Sequence, residues 1–502
     1  MYVPDYDDFA RLAQQGNLVP VYREILADLD TPVSAFLKLR HAGNGYACLL
    51  ESVTGGENVA RFSYIALDPP LVLSSKGRQV TLDRSGQVSS RALAEGEDPL
   101  HALAEQLAAF DYVPLPGWKR FPGGMVGYMA YDLVRFFEEL PEENPDDLGL
   151  PDLQFMLADT LVVFDHVLNR VRVLANAHVT GDPQQAYWEA LDRIERVIDL
   201  LKQPLPPLED QRRPPRPNRV PTDASALPST MTRAQHRQAV LAAKEYIAAG
   251  DLIQVVLSHR MAVKVDVDPF DLYRALRAIN PSPYMFYLSF GDLKLIGASP
   301  EILVTVEGEE VVTRPIAGTR RRGASDEEDA RLAEELMADE KERAEHIMLV
   351  DLHRNDIGRV CKPGTVTVDE LMVVERYSHV MHLVSNVRGK LREDRDQFDV
   401  LRAAFPAGTV SGAPKIRAME VIEELEPVRR GPYAGTVGYF GFSGAMDTCI
   451  TLRTIVLKGD TAYLQAGGGI VADSDPDAEY QETLNKAAAL LQAVQLAEGG
   501  LV

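Results

Sequence analysis

At 502 residues, with 46% hydrophobic and 25% charged side chains, the chain has the make-up of a folded globular protein of two domains or one large body. A formal net charge of −22 argues against nucleic acid or an anionic membrane surface as partner, because both are held by clustered Lys and Arg. The same field repels a small anionic substrate, so local cations, a metal ion among them, must capture one.

The opening MYVPDYDDFA is acidic and lacks the apolar centre of a secretory signal, and no apolar run is long enough to span a bilayer. Cys48, Cys361 and Cys449 form no CxxC pair, which points to a reduced, cytoplasmic chain with buried thiols and no cysteine chemistry. Residues 1–202 carry short β-rich runs, YACLLES, PLVLSS, LVVFDHV and RVRVLANA, separated by Gly, Pro and Asp turns in the manner of antiparallel sheet. Tyr187 to Leu201 is amphipathic at helical spacing. Residues 203–230 then hold eight prolines, which fix φ and remove donors, so a linker is placed there, dividing an N-terminal domain (1–202) from a C-terminal one (231–502).

Beyond the linker, Thr232 and Gln235 make a capping box, apolar residues recur to Ile247, and Gly250 closes the helix. Strand-like runs LIQVVLSHR, YMFYLSF, VTVEGEEVVTRPI and TAYLQAG alternate with long helical stretches at Ser325 to Leu352 and from Asp475 to about Glu498. No βαβ rhythm and no internal repeat appears, so the fold class is α+β, with sheet covered by helices on its outer faces.

Chemistry concentrates in the C-terminal part. Asp475 can cap the last helix, with Pro476 in its first turn, and Glu479, Glu482 and Lys486 then share one face. Alone this reads as a solvated Glu–Lys pair. Gly467, Gly468 and Gly469 just upstream change the reading, because three glycines let backbone N–H groups approach a carboxylate closely. A second helix, EKERAEHIMLVDLHRND, carries Glu342, Glu345, His346, Asp351 and Asp356; Asp326 to Asp329 read as acidic surface. Carboxylates from two helices, completed by waters and a substrate carboxylate, suit Mg²⁺, and no HExxH or Cys cluster favours zinc. PAGTVSGAPK (406–415) fails the phosphate-loop pattern and reads as a glycine turn before a helix, and TRPIAGTRR as a turn presenting Gly318 and Thr319 between arginines.

Eight segments in this order, PIAGT, EHIMLVDL, RYSHVMHLVS, AGTVSGAPK, RRGPYAG, DTCITLR, QAGGGIVADSDP and EYQETLNKA, resemble the chorismate-utilising enzyme family and, within it, the large subunits of anthranilate synthases. The resemblance covers residues 231–495 and reaches the N-terminal half through LLES (49–52). It implies two facing, largely antiparallel β-sheets with helices outside, a four-layer α/β/β/α sandwich. It implies Mg²⁺ held by Glu345 and Glu482 with Glu479 beside them, and chorismate bound by Gly318, Thr319, Tyr433, Arg453 and Gly467, Gly468 and Gly469. Arg453 suits a carboxylate because its planar fork can bond both oxygens. Glu301 corresponds to the acid that protonates the departing 4-hydroxyl, a role that burial would serve by keeping it protonated. His382 corresponds to a histidine linked to pyruvate elimination. Ser52, Pro283, Tyr284 and Met285 correspond to a tryptophan feedback site.

Two positions discriminate within the family. Relatives that add water at ring C2 carry a lysine base where this chain has Gln254, and relatives that send nitrogen to C4 carry a nucleophilic lysine in PIKGT where it has Ala317. Direct attack of ammonia at C2 follows, through aminodeoxyisochorismate to anthranilate and pyruvate, the first committed step of tryptophan biosynthesis. The alternatives are an enzyme that stops at the intermediate and a non-catalytic tryptophan-sensing paralogue. No region resembles a glutamine amidotransferase, so a separate ammonia-delivering subunit, in a heterotetramer, is implied.

Overall fold

The computed structural model describes residues 1–501 apart from 27–28, 41–42, 54–60, 117, 119–120, 208–219 and 378–379. Two twelve-stranded sheets dominate, and every pairing between their strands is antiparallel. The first runs Tyr2–Val3, Leu18–Leu26, Arg170–His178, Thr160–Asp165, Phe62–Leu67, Tyr46–Glu51, Tyr284–Phe290, Leu293–Ser299, Thr454–Lys458, Thr461–Ile470, Gln254–Lys264 and Gly412–Ala413. The second runs Ile316–Arg321, Val380–Lys390, Glu310–Thr313, Ile302–Glu307, Met446–Ile450, Thr436–Gly441, Gly124–Met129, Leu153–Ala158, Val72–Lys76, Gln79–Arg84 and Gln87–Ala92, with Thr367–Arg376 paired to Val380–Lys390.

The sheets face each other across a core in which Tyr64, Phe286 and Leu295 of the first meet Val126, Met156 and Val437 of the second. Helices Pro32–Arg40, Pro183–Leu201, Pro269–Ile279 and Pro476–Glu498 bury Phe36, Ile194, Leu276 and Leu491 against the outside of the first sheet. Pro99–Ala108, Glu340–Gly358 and Gln397–Ala404 do the same for the second through Leu103, Val350 and Leu401. This is the four-layer arrangement expected for the α+β class, each sheet hiding one face on its twin and the other under helices.

The proline-rich stretch does not divide the core as the sequence suggested. Six strands from residues 2–178 and six from residues 254–470 make one sheet, joined where Tyr46–Glu51 pairs Tyr284–Phe290. In the second sheet Gly124–Met129 pairs Thr436–Gly441. Backbone ladders between distant segments leave no sequence trace, so composition alone marked a boundary that the hydrogen bonds cross.

Local signals were read more faithfully. Helix Arg233–Ala249 has its Thr232–Gln235 capping box and closes on Gly250 at φ 85°. Pro476–Glu498 is capped by Asp475, whose side chain accepts from Asp477 and Ala478 N–H. Ser325 to Leu352 is not one helix: it breaks into Asp326–Ala338 and Glu340–Gly358 at Asp339. There the extended backbone lets the carboxylate accept from Lys341 and Glu342 N–H and start a fresh helix. Segment 316–321, expected as a turn, is a strand with a register shift between Ala317 and Arg320, and Gly318 in it takes φ +64°. The glycine triplet is not a linker after a strand but its end: Thr461–Ile470 runs through it, because Gln254–Lys264 pairs it residue for residue.

Candidate active site

The cleft is assembled from the glycine triplet outward. A Cβ built on Gly467 would lie 2.8 Å from the Tyr433 hydroxyl, one on Gly469 2.5 Å from Gln254 Nε2, and one on Gly468 3.2 Å from Glu479 Oε2 and 3.9 Å from Glu482 Oε1. The missing side chains therefore bring Tyr433, Gln254 and the carboxylate helix onto one piece of backbone. Helix Glu340–Gly358 supplies Glu345, which senses the charge of Glu482, so the two helices meet electrostatically. Burial first, and then Glu342 and Glu482, raise the Glu345 pKa; burial and Glu482 likewise raise that of Glu479. Carboxylates crowded in this way resist ionising together.

Among the described residues, no three His, Cys, Asp or Glu side chains already gather closely enough to enclose an ion. The donors are nonetheless oxygen-only, and Glu345 and Glu482 come from different helices, which fits a hard divalent cation completed by water and substrate oxygens. Glu482 also makes the i,i+4 ion pair with Lys486 at 2.8 Å, both half-exposed, while Lys486 Nζ donates to Gly467 O at 2.9 Å. Lys486 ties the carboxylate helix to the glycine strand.

Glu301 lies at the start of Ile302–Glu307 and is buried, with Oε1 unpartnered. Burial pushes its carboxyl up to about 8, against the pull of Thr409 and Arg453. It is held as an acid at neutral pH, as a proton donor to an oxygen leaving group must be. Arg453 sits at φ +47°, a costly backbone for a non-glycine residue, and burial lowers its pKa while Glu301 raises it. His382 Nδ1 lies 2.8 Å from Gly318 O and 3.2 Å from Thr319 Oγ1. Because a carbonyl only accepts, Nδ1 carries the proton and the Nε2 lone pair is the one available. Burial lowers the His382 pKa, against the pull of the Gly318 carbonyl and of Glu375 and Glu342, and Arg453 lowers it further. Glu342, 3.1 Å from where a Cβ of Gly318 would stand, links this corner to the carboxylates.

All the chorismate, metal and catalytic positions singled out in the sequence thus lie in one connected region. Lys415 of the AGTVSGAPK segment is held by both oxygens of buried Asp356 at 2.8 Å. One reading needs correction. Asp329 is not acidic surface but is buried, paired with Arg322 at 2.6 Å and Arg376 at 2.8 Å. His346 is buried and bonded to Ser385 Oγ at 2.6 Å, a packing role.

The sequence also missed the support beneath the cleft. Arg430 is 2% exposed and pairs with Glu426 at 2.6 Å; its guanidinium lies 5.7 Å from the Tyr433 ring centre. It donates to Val410 O and Val256 O at 2.7 Å, while Glu426 accepts from Ser258 N at 2.8 Å. The i,i+4 spacing was visible, but only packing reveals that this pair is inside.

Ser52, Pro283, Tyr284 and Met285 come together elsewhere, lining a cavity of about 250 Å³ between the sheets with Leu50 and Met446. Ser52 Oγ is buried without a partner, and the Tyr284 hydroxyl donates to Asp447 Oδ1 at 2.9 Å.

Residues 50–492 match the model of the chorismate binding enzyme family, and the chain belongs to that family. Within it, the chain is similar to anthranilate synthase component 1 of Acetivibrio thermocellus (48% identical over 501 residues, 99% of each chain) and to that of Thermus thermophilus (50% over 485 residues, 96% of this chain and 99% of the relative). The crystal structure of anthranilate synthase component I from Streptococcus pneumoniae superposes with a TM-score of 0.74 at 37% identity, covering 93% of this chain and 99% of that one. Among the described residues no helix is long and apolar enough to cross a membrane.

Proposed function

We propose that the chain converts chorismate and ammonia to anthranilate and pyruvate through aminodeoxyisochorismate, as the committed step of tryptophan biosynthesis. The observation that carries this reading is Glu301, a fully enclosed carboxyl held protonated to about pH 8 beside the arginine that would bind substrate. Glu301 gives its proton to the 4-hydroxyl, which leaves as water while ammonia bonds to C2 and the ring double bonds shift. Gln254 and Ala317 offer neither a base to activate water nor a nucleophile to divert nitrogen to C4. In the second stage His382 Nε2 takes the C2 proton, the C3–oxygen bond breaks, the ring becomes aromatic, and the departing enolpyruvate takes up one proton to become pyruvate.

Glu345 and Glu482 would hold Mg²⁺, with Glu479 beside them; when bound, it neutralises the substrate carboxylate and offsets the chain's negative field. Tyr433, Arg453, Gly318, Thr319 and the glycine triplet orient chorismate. The relatives' designation as component 1 supports a separate partner component, which in this reading supplies ammonia from glutamine within a heterotetramer. The inter-sheet cavity supports feedback by tryptophan, an aromatic of suitable size for an apolar space with a few polar groups.

The test is incubation of the purified chain with chorismate, Mg²⁺ and ammonium at mildly alkaline pH, followed by anthranilate fluorescence. A Mg²⁺-dependent signal that glutamine cannot replace is expected. Chorismate consumed without fluorescence would overturn the second stage, and chorismate left intact would overturn the whole reading.

A further inference from the structure

Glu301 and Arg453 both stand where the chain passes from one sheet to the other. Strand Leu293–Ser299 belongs to the first sheet and Ile302–Glu307 to the second, so Glu301 lies on the crossing between them. Met446–Ile450 of the second sheet leads back to Thr454–Lys458 of the first, and Arg453 lies on that crossing. The two crossings run side by side, because Gly297 pairs Thr454 at one end and Ile302 pairs Cys449 at the other. Ser299 is the side chain that joins them. It is fully buried, and its hydroxyl donates to Ile450 O at 2.6 Å, while the same oxygen accepts from Glu301 N–H at 3.4 Å. Ile450 N–H in turn donates to Glu301 O at 3.0 Å, and Ala298 N–H to Arg453 O at 3.1 Å. Backbone pairing with Tyr284 already secures Ser299 within its own strand, so the hydroxyl serves the link between crossings and not the ladder.

We propose that Ser299 is a positioning residue: its hydroxyl pins the Glu301 crossing to the Arg453 crossing and so sets the acid against the substrate-orienting arginine. The inference rests on the reading of Glu301 as proton donor given above. Glu301 keeps its proton because burial outweighs the Thr409 hydroxyl and Arg453, which both favour its charged form. The other titratable group that senses it is the Tyr377 phenol, pushed up by burial first and by Glu375 and Glu301 after it. A crossing that works loose lets water reach the carboxyl and takes it out of line with the oxygen it protonates. A displacement of about 1 Å is enough to cost about 10²-fold in rate. Arg453 keeps its own bond to Ala298, so substrate binding does not follow the acid. Removing the hydroxyl strands no carbonyl either, since Ile450 O still accepts from Leu452 N–H at 2.8 Å.

The experiment follows chorismate consumption by the full chain with Mg²⁺ and ammonium across the pH range. Ser299→Ala is expected to lower turnover about tenfold or more with chorismate KM held. It is also expected to move the alkaline limb of the profile below the parent's, which falls at about 8. A merely structural loss would reduce the active fraction and leave the limb in place. Melts read the same pin without substrate: the loss of stability that the parent shows between 4.5 and about 8 should end at a lower pH in Ser299→Ala. An unmoved limb, a chorismate KM that rises as turnover falls, or an unchanged window in the melts would overturn the proposal. Should Ser299→Ala melt far below the parent, Ser299→Cys decides, because it keeps the size and weakens the donor; a limb below the parent's is expected, and a parental limb counts against the pin. A parent that consumes no chorismate breaks the reaction reading instead, and the melts then decide the proposal alone.

Discussion

The carboxylate cleft and the inter-sheet cavity are built from different strands of the same two sheets and work by different physics. The cleft crowds ionisable groups until burial and repulsion shift their pKa values: Glu301 upward, Glu345 and Glu479 upward, His382 downward. The cavity combines apolar walls with the polar side chains of Glu51, Ser52, Tyr284, Thr305 and Asp447. Yet the two touch through the backbone. Ile302, in the cavity wall, follows Glu301 directly, and Ile450, next to cavity-lining Cys449, donates its N–H to Glu301 O at 3.0 Å. A group in the cavity can therefore bear on the acid without approaching substrate. The contrast is between a site shaped by charge held in place and one shaped by an enclosed space.

That contrast can be broken by substitution. The largest effect is expected from Glu482→Gln, which removes a carboxylate proposed to hold Mg²⁺: Mg²⁺-dependent turnover should vanish while the thermal melt stays cooperative, and calorimetric titration should show Mg²⁺ binding lost. Glu301→Gln should lower turnover about 10²- to 10⁴-fold, the range for a lost general acid. In the parent the acid form fades as pH rises through about 8; the variant should lack that limb of the profile. Stability should report the same group. The folded chain keeps the proton up to about 8 while the unfolded carboxyl, at 4.5, does not, so the parent loses stability as pH rises between those values. Melts of Glu301→Gln across that window should lose this slope.

His382→Ala should slow the second stage about 10²-fold or more and let aminodeoxyisochorismate accumulate, visible by chromatography. At the cavity, Ser52→Phe should abolish tryptophan inhibition with turnover intact, because it fills space and moves no charge; equal inhibition of both proteins would separate the cavity from regulation. Asp339→Ala should have the smallest effect, about 1 kcal/mol from the lost helix cap, read as a modest drop in Tm.

Helix ends were legible because their signals are local: Thr232 with Gln235, Gly250, and Asp475 with Pro476 each act within one turn. The cleft was legible through its motifs, since Glu301, Glu345, His382, Arg453 and Gly467 stand in short distinctive segments. What stayed hidden depends on neighbours far along the chain. Asp329 looked like one of four solvated acids until Arg376 folded over it. The glycine triplet looked like a connection after a strand until strand Gln254–Lys264 held it in register.

By itself the sequence determined the class of fold, the positions of most caps, and which side chains could carry acid, base and metal chemistry, because residue type and short spacing decide those. The tertiary structure decided that two halves separated by a proline-rich stretch share both sheets, that Arg430 and Glu426 are buried beneath Tyr433, and that Gln254 Oε1 is left without a partner. Burial and cross-chain pairing are properties of what surrounds a group, and no residue carries them alone.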